Sequence, residues 1–420
     1  MSGRERTQAR QHGVLRFVTA GSVDDGKSTL IGRLLYDSKA ILADQLSAVE
    51  RTSRQRGQAL DLSLLTDGLT AEREQGITID VAYRYFATAA RKFILADAPG
   101  HQQYTRNMVT AASTAHLAIL MIDARHGVVE QTRRHAKLAQ LLGVPHCVVA
   151  VNKMDLVDWS ADRFTGIADR FSAFARRAGV GEIRFVPVSA LHGDMVVERG
   201  VRMPWYGGPT LLHILETVEL PHSGDDAPFR FPVQYVTRPA ANEPRGYLGR
   251  IESGSIRVGE RVTALPSGLS TRVRAIRTYD GNLPEAGLHA AVALVLDDEL
   301  DISRGDMLVP DYDAPPARRE LEAMTCWLAD APLDPRRRYL LRHTTREVPA
   351  RIRRIEHLWN VSTQEEETAP ASLQRNDIAL VALQLAQPVF AERYADNRAT
   401  GSFILIDESS NDTVAAGMIR

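Results

Sequence analysis

Over the first half of this 420-residue chain, short runs of consecutive apolar residues alternate with stretches whose apolar positions recur at helical spacing. The apolar runs cover residues 14–20, 93–96, 117–122, 147–151 and 185–188, and the amphipathic stretches include 131–142 and 164–178. Runs of four to seven apolar residues predict buried strands, and the stretches between them predict helices. Such alternation predicts a mostly parallel sheet with helices on both faces. A helix over 210–219 closes this region, and the polar stretch 36–75, rich in Glu, Arg and Gln, is expected to be partly helical and mobile. From residue 229 the pattern changes to short strands separated by Gly and Pro turns, at 230–236, 247–252, 261–264, 271–278 and 291–296. That spacing predicts a small antiparallel barrel. A further all-β run extends from 321 to the end, and Pro-containing linkers lie at 221–228 and 311–316. The expected domains are therefore 1–222, 228–312 and 316–420. No internal repeat, long low-complexity tract or second phosphate-loop pattern is evident.

The first apolar run leads into Gly21, Ser22, Val23, Asp24, Asp25, Gly26, Lys27 and Ser28, followed by Thr29. This is a complete GxxxxGK[ST] loop: its backbone N–H groups point at a nucleotide's phosphates, Lys27 reaches the outer phosphates, and the Ser28 hydroxyl ligates Mg²⁺. Three further motifs follow in order, each just past a predicted strand. They are Asp97-Ala98-Pro99-Gly100-His101, Asn152-Lys153-Met154-Asp155 and Ser189-Ala190-Leu191. Ligand groups in such sheets gather at the carboxyl ends of the strands, where all four motifs fall. Asp97 reads as the carboxylate that holds Mg²⁺, and the Gly100 N–H as a contact of the γ-phosphate. Asn152 and Asp155 suit a purine edge. A carboxylate accepts from guanine N1–H and its 2-amino group together, whereas adenine would leave it unpaired, a discrimination of about 10⁴ or more. Lys153 is expected to lay its stem along the base and the Ala190 N–H to meet guanine O6. Thr78 lies between the phosphate loop and Asp97, where a switch segment supplies a second hydroxyl to Mg²⁺ and closes over the γ-phosphate. His101 stands where related hydrolases place a water-orienting Gln, so it is expected to position the attacking water; with Lys27 and Thr78 it makes the expected catalytic set.

Simpler readings exist for each. Lys27 and Ser28 also suit an ordinary helix start, Asp97 and Asp155 helix caps, His101 a surface histidine and Ser189 an N-cap. Asp24 and Asp25 are odd neighbours for phosphate, and either bind a cation or face away.

Composition narrows the field. There are only five lysines, at 27, 39, 92, 137 and 153, against forty-six arginines, and two of the five lie in the nucleotide motifs. Arg does not replace Lys freely where a compact charge or slim stem is needed. A net charge of −1 gives no footprint for bulk nucleic acid. The two cysteines, Cys147 and Cys326, read as reduced core residues. No apolar stretch approaches the ~20 residues of a membrane span, and the polar N-terminus lacks the apolar run of a secretion signal. A soluble, cytoplasmic protein without a membrane segment is expected.

The residues also resemble a known family. The motif order, with AEREQGITID from Ala71 and two trailing barrels, is similar to the elongation-factor type of translational GTPase. More particular are GSVDDGKSTLIGRLLYDSK from Gly21, HQQYTRNMVTAAST from His101, DARHGVVEQTRRH from Asp123, MPWYGGPTLL from Met203 and NRATGSFILID from Asn397. Over nearly the whole chain these resemble the large, GTPase subunits of bacterial two-subunit sulfate adenylyltransferases. The resemblance implies an α/β P-loop GTPase domain followed by two all-β barrel domains. It also implies GTP and Mg²⁺ as cofactors and a smaller catalytic subunit as partner in a heterodimer or higher assembly. In such enzymes GTP hydrolysis drives formation of adenosine 5′-phosphosulfate and diphosphate from ATP and sulfate, for sulfate assimilation. No HxGH-type motif is present, so adenylyl transfer falls to the partner. Some relatives carry a fused adenylylsulfate kinase domain; the chain has no second phosphate loop, so that activity is not expected. Ser22 and Asp25 replace the histidines of the elongation factors' loop. The alternative is a GTPase carrying aminoacyl-tRNA, for which Arg336, Arg337, Arg338, Arg342, Arg346, Arg351, Arg353 and Arg354 would be the RNA contacts; such a run on alternating strands more often faces solvent or an acidic partner, and no stable nucleic-acid partner is expected.

Overall fold

A computed structural model describes residues 13–41, 43–55, 60–65, 80–220, 227–238, 244–361, 363, 365–368 and 370–420. Thr78, the expected switch residue, lies outside the described residues, as does most of the polar stretch between 56 and 79. The chain divides into two compact units, residues 1–221 with 361–364, and residues 222–360 with 365–420.

In the first unit the order is β1 (Val14–Ala20), α1 (Lys27–Asp37), α2 (Ala43–Gln55), β2 (Ala82–Ala87), β3 (Lys92–Asp97), α3 (Thr105–Ser113) and β4 (Leu117–Asp123), then α4 (Glu130–Leu141), β5 (His146–Asn152), α5 (Ala161–Ala178), β6 (Ile183–Pro187) and α6 (Leu211–Thr217). The sheet runs β2-β3-β1-β4-β5-β6. It is parallel from β3 to β6 and antiparallel only at the β2 edge. Every residue of β4 is buried, as a strand covered on both faces requires. The chain builds β2 and β3 on one side of β1 and then crosses to β4 on the other. Strand order therefore reverses at β1, and the loop after β1 lies at the switch point where such sheets bind ligands. Phe17, Phe86 and Phe93 pack below it, the last two stacked at 4.6 Å between ring centroids.

Helix α5 shows why these segments hold their ends. Ser160 caps it by accepting the Arg163 N–H at 3.2 Å, Gly179 closes it at φ 73°, and Ile167, Phe171, Phe174, Ala175 and Ala178 form its buried stripe. Cys147 and Cys326 are both buried. No helix among the described residues is long and apolar enough to cross a membrane.

The second unit holds two closed six-stranded barrels. One runs in spatial order Arg261–Leu265, Met307–Pro310, Phe231–Thr237, Gly246–Arg250, Ala291–Leu296 and Leu269–Thr278, which pairs back with the first strand. The other runs Tyr339–His343, Ser402–Asp407, Thr413–Ile419, Ala317–Trp327, Ile378–Phe390 and Arg346–Trp359, closing on its first strand. Arg230, 1% exposed, ties the two barrels: it contacts the Glu392 carboxylate at 2.8 Å and the Asp313 carbonyl at 3.0 Å. The expected all-β second half is therefore present as two barrels.

Candidate functional site

Gly26, at φ 89°, lets the chain turn sharply from the phosphate loop into α1, a conformation that costs other residues strain. Within the loop the Asp25 N–H donates to Ser22 O at 3.3 Å, and the Asp25 carboxylate takes the Ser22 N–H in return. Lys27 is buried, and its ammonium donates to the Gly21 and Ser22 carbonyls at 3.1 and 3.0 Å. Burial lowers its pKa, while the nearby Asp97, Asp25 and Asp24 carboxylates act to raise it. Asp24 is exposed, with its backbone at φ 68°. Asp25 is 5% exposed, and burial pushes its pKa up to about 6 against the Ser22 N–H and the Lys27 charge. The Asp25 side chain is thus turned into the protein, whereas Asp24 is exposed.

Asp97 ends β3 with 1% exposure and accepts the Thr19 hydroxyl at 3.2 Å. The chain beyond it folds back over the phosphate loop: a methyl group at Gly100 would stand 2.6 Å from Gly21 O and would press on Lys27 Nζ, so only glycine fits there. Ala98 and Pro99 are buried between them. His101 is half-buried; its Nδ1 accepts the Gln103 N–H at 3.2 Å, which places the proton of the neutral ring on Nε2.

In the turn after β5, Asn152 and Asp155 occupy different situations. Asn152, 2% exposed, donates from Nδ2 to Asp25 O at 2.8 Å and accepts the Ala190 N–H on Oδ1 at 3.0 Å. One amide therefore joins the phosphate loop, the Asn-Lys-Met-Asp turn and the Ser-Ala-Leu turn. The Ala190 N–H, expected at guanine O6, is committed to Asn152 here. Asp155 is half-buried, and its Oδ1 accepts the Ser189 hydroxyl at 2.6 Å; its Oδ2 takes no hydrogen bond among the described residues. Met154 is fully buried, whereas Leu191 is 60% exposed.

Lys153 adopts φ 61° and bonds to the Asp24 carbonyl and, at 3.0 Å, to the Asp123 carboxylate. Asp123 was not singled out from the sequence, although it stands at the end of an apolar run just as Asp97 does. It is 1% exposed; burial alone would raise its pKa, but hydrogen bonds from Arg125 and the Lys153 ammonium hold it well below the usual carboxylate range. His135 on α4 is likewise buried and kept neutral: burial, with the Lys27 and Arg134 charges, lowers its pKa to about 3. Its Nε2 lies 2.8 Å from Gln131 Nε2.

The arginine run in the last barrel is largely neutralised. Arg337 pairs with Asp407, Arg338 with Glu408, Arg342 with Glu347, Arg346 with Asp306 and Arg354 with Glu356.

The chain resembles known proteins along almost its whole length. Residues 12–221 match the elongation factor Tu GTP binding domain, and residues 320–420 match the GTP-eEF1A C-terminal domain-like family. The chain is 53% identical over 411 residues to the bifunctional enzyme CysN/CysC of Mycobacterium tuberculosis, covering 97% of this chain and 67% of that protein. It is 53% identical over 417 residues to sulfate adenylyltransferase subunit 1 of Chromobacterium violaceum, covering 98% and 87% of the two chains. The corresponding protein of Cellvibrio japonicus is 53% identical over 409 residues, with 97% and 86% covered.

Proposed function

The chain belongs to the sulfate adenylyltransferase subunit 1 family, the GTP-binding subunits of that enzyme, and we propose that its hydrolysis of GTP drives the joining of ATP and sulfate into adenosine 5′-phosphosulfate and diphosphate. A smaller partner subunit carries out the adenylyl transfer, in a heterodimer or higher assembly in the cytoplasm. The observation that carries this reading is the single amide of Asn152, which ties the phosphate-binding loop to both base-binding turns at the switch point of the sheet.

Within that pocket Asp155 offers guanine the oxygen that Ser189 does not occupy. Lys27 stands ready for the outer phosphates. The Ser28 hydroxyl and the Asp97 carboxylate are the hard oxygen donors that Mg²⁺ favours, and Thr78 supplies a further hydroxyl from the switch segment. When bound, that ion neutralises charge building on the phosphate oxygens. His101, with its ring proton on Nε2, is a hydrogen-bond donor in its neutral form. It therefore holds the attacking water by the oxygen rather than removing its proton. The remaining loop residues, Gly21 to Ser28 with Thr29, and the Asp97–His101, Asn152–Asp155 and Ser189–Leu191 turns complete the pocket. The three domains, 1–222, 228–312 and 316–420, give one hydrolysing domain and two barrels that respond to its nucleotide state.

Making a phosphate–sulfate anhydride is strongly uphill, so hydrolysis of a second nucleotide must be linked to it through conformational states. The test is a reconstitution of the full chain with the smaller adenylyltransferase subunit, ATP and sulfate. GTP hydrolysis should rise, and adenosine 5′-phosphosulfate should accumulate in proportion to GTP consumed. Stimulation by ribosomes and charged tRNA instead, or product formation indifferent to GTP, would overturn the proposal.

A further inference from the structure

The phosphate loop carries two carboxylates at a place where a polyanion is to be bound, and of the two Asp25 is the buried one. Its side chain lies on the sheet side of the loop. A methyl group at Gly21 would stand 2.7 Å from Met121 Cβ and 3.0 Å from Asp25 Oδ2, so the carboxylate lies against Gly21 where the loop meets β4. It holds the Ser22 N–H, while its own carbonyl takes the Asn152 amide at 2.8 Å. Asp25 therefore fixes the loop at both its side chain and its backbone.

We infer that Asp25 is a positioning residue of the phosphate loop that takes up a proton from solvent when a nucleotide polyphosphate binds. The inference rests on the guanine-nucleotide reading of this pocket. The charged groups around it set the direction. Lys27, at the start of α1, is the cation that favours its ionised form, as do hydrogen bonds from the Ser22 and Asp123 backbones, and the Asp123 carboxylate, at the end of β4, opposes it. Asp24 and Asp97 also act on Lys27, Lys153 is paired with Asp123, and His135 on α4 is neutral. Burial already raises the Asp25 pKa to about 6. An arriving polyphosphate draws on the Lys27 charge and brings negative charge of its own; both favour the neutral carboxylic acid. The proton goes to the oxygen that does not hold Ser22, so the other still accepts the Ser22 N–H and the loop keeps its shape. A group with a merely structural role would bind no proton on loading.

The experiment is titration calorimetry of the full chain with GDP and with Mg·GTP, at pH 6 to 8, in buffers of different ionisation enthalpy. Wild type is compared with Asp25→Asn, which keeps the shape and an acceptor oxygen. The expected result is a proton uptake, in wild type relative to the variant, that rises from about half a proton per nucleotide at pH 6 toward one at pH 8. Wild-type affinity should accordingly weaken relative to the variant by up to about tenfold per pH unit. Equal proton counts in the two proteins would overturn the inference. Should the variant fail to fold, the infrared difference spectrum of the unaltered protein on release of caged GTP decides: a new protonated-carboxyl band supports the inference and its absence refutes it. A wild-type chain that binds no guanine nucleotide defeats the functional reading itself. Binding without an Asp25-dependent proton defeats this inference alone.

Discussion

Asn152→Ala isolates the link between the two ends of the nucleotide pocket. The side chain is 2% exposed, and truncation leaves two groups without their partner, the Asp25 carbonyl and the Ala190 N–H. Each buried polar group left unsatisfied costs about 1–3 kcal/mol. The loop also packs directly on this amide, since a methyl group at Gly26 would stand 2.5 Å from Asn152 Nδ2, so truncation opens a gap as well. The loss should be about 3–4 kcal/mol, which for a unit of this size lowers the melting midpoint by on the order of 10 °C. Asn152→Asp gives a sharper comparison. It keeps an acceptor for the Ala190 N–H but sets an oxygen against the Asp25 carbonyl, near the Asp25 and Asp123 carboxylates. Its damage should ease at low pH, where the introduced carboxyl protonates and regains a donor, whereas the Ala variant should show no such recovery. Thermal melting at pH 5 and pH 8, with guanine-nucleotide affinity measured alongside, reads both effects. A midpoint for Asn152→Ala within about 2 °C of wild type would refute the claim that this amide holds the loops together.

Three further outcomes are expected. His101→Ala should abolish most GTP turnover in single-turnover assays while leaving GTP affinity nearly intact; a large loss of affinity would contradict a water-positioning role. Arg230→Met should destabilise the two-barrel unit by about 3–5 kcal/mol, because it leaves Glu392 without the buried partner it bonds at 2.8 Å; a denaturant midpoint unchanged from wild type would show the pair to be dispensable. The His135 ring has a folded pKa of about 3 against an ordinary value of 6.5, so the unfolded chain binds the proton more tightly between those values. Stability from this site is therefore complete above pH 6.5 and lost as pH falls toward 3, by about 2 kcal/mol at pH 5. Urea titrations at pH 7 and pH 5 should show that loss in wild type and not in His135→Gln.

The sequence made legible what is written in consecutive residues. β4 and β5 are unbroken apolar runs because both faces of a central parallel strand are buried, and their ends carry the motifs. β2 escaped notice for the opposite physical reason: at the sheet edge it alternates the exposed Tyr83 and Tyr85 with partly covered neighbours, a weak signal beside the polar stretch that precedes it. The barrel strand Met307–Pro310 was also missed; it is four residues long and ends in proline against a linker, although all four are buried. Individual side chains were harder still. Asp25 could be assigned neither to a cation nor to the interior, because a loop residue's direction depends on backbone angles such as the φ of 89° at Gly26. Asp123 belongs to no short motif, and its importance comes from Lys153, thirty positions away in the chain and 3.0 Å away in space.

That pairing gives the pocket a common frame. Asp123 fixes the ammonium of Lys153, which also bonds the Asp24 carbonyl, while Asn152 bonds the neighbouring Asp25 carbonyl. Two consecutive carbonyls of the phosphate loop are thus held by two consecutive residues of the Asn152–Asp155 turn. A shift of either turn must strain or break these bonds, so the two turns are mechanically coupled. The buried charges make the link directional. Asp123 is stabilised as an anion by Arg125 and Lys153, whereas Asp25 is buried with Lys27 as its counter-charge. Negative charge placed at Lys27 would therefore act on Asp25 and leave the Asp123 pairing with Arg125 and Lys153 in place.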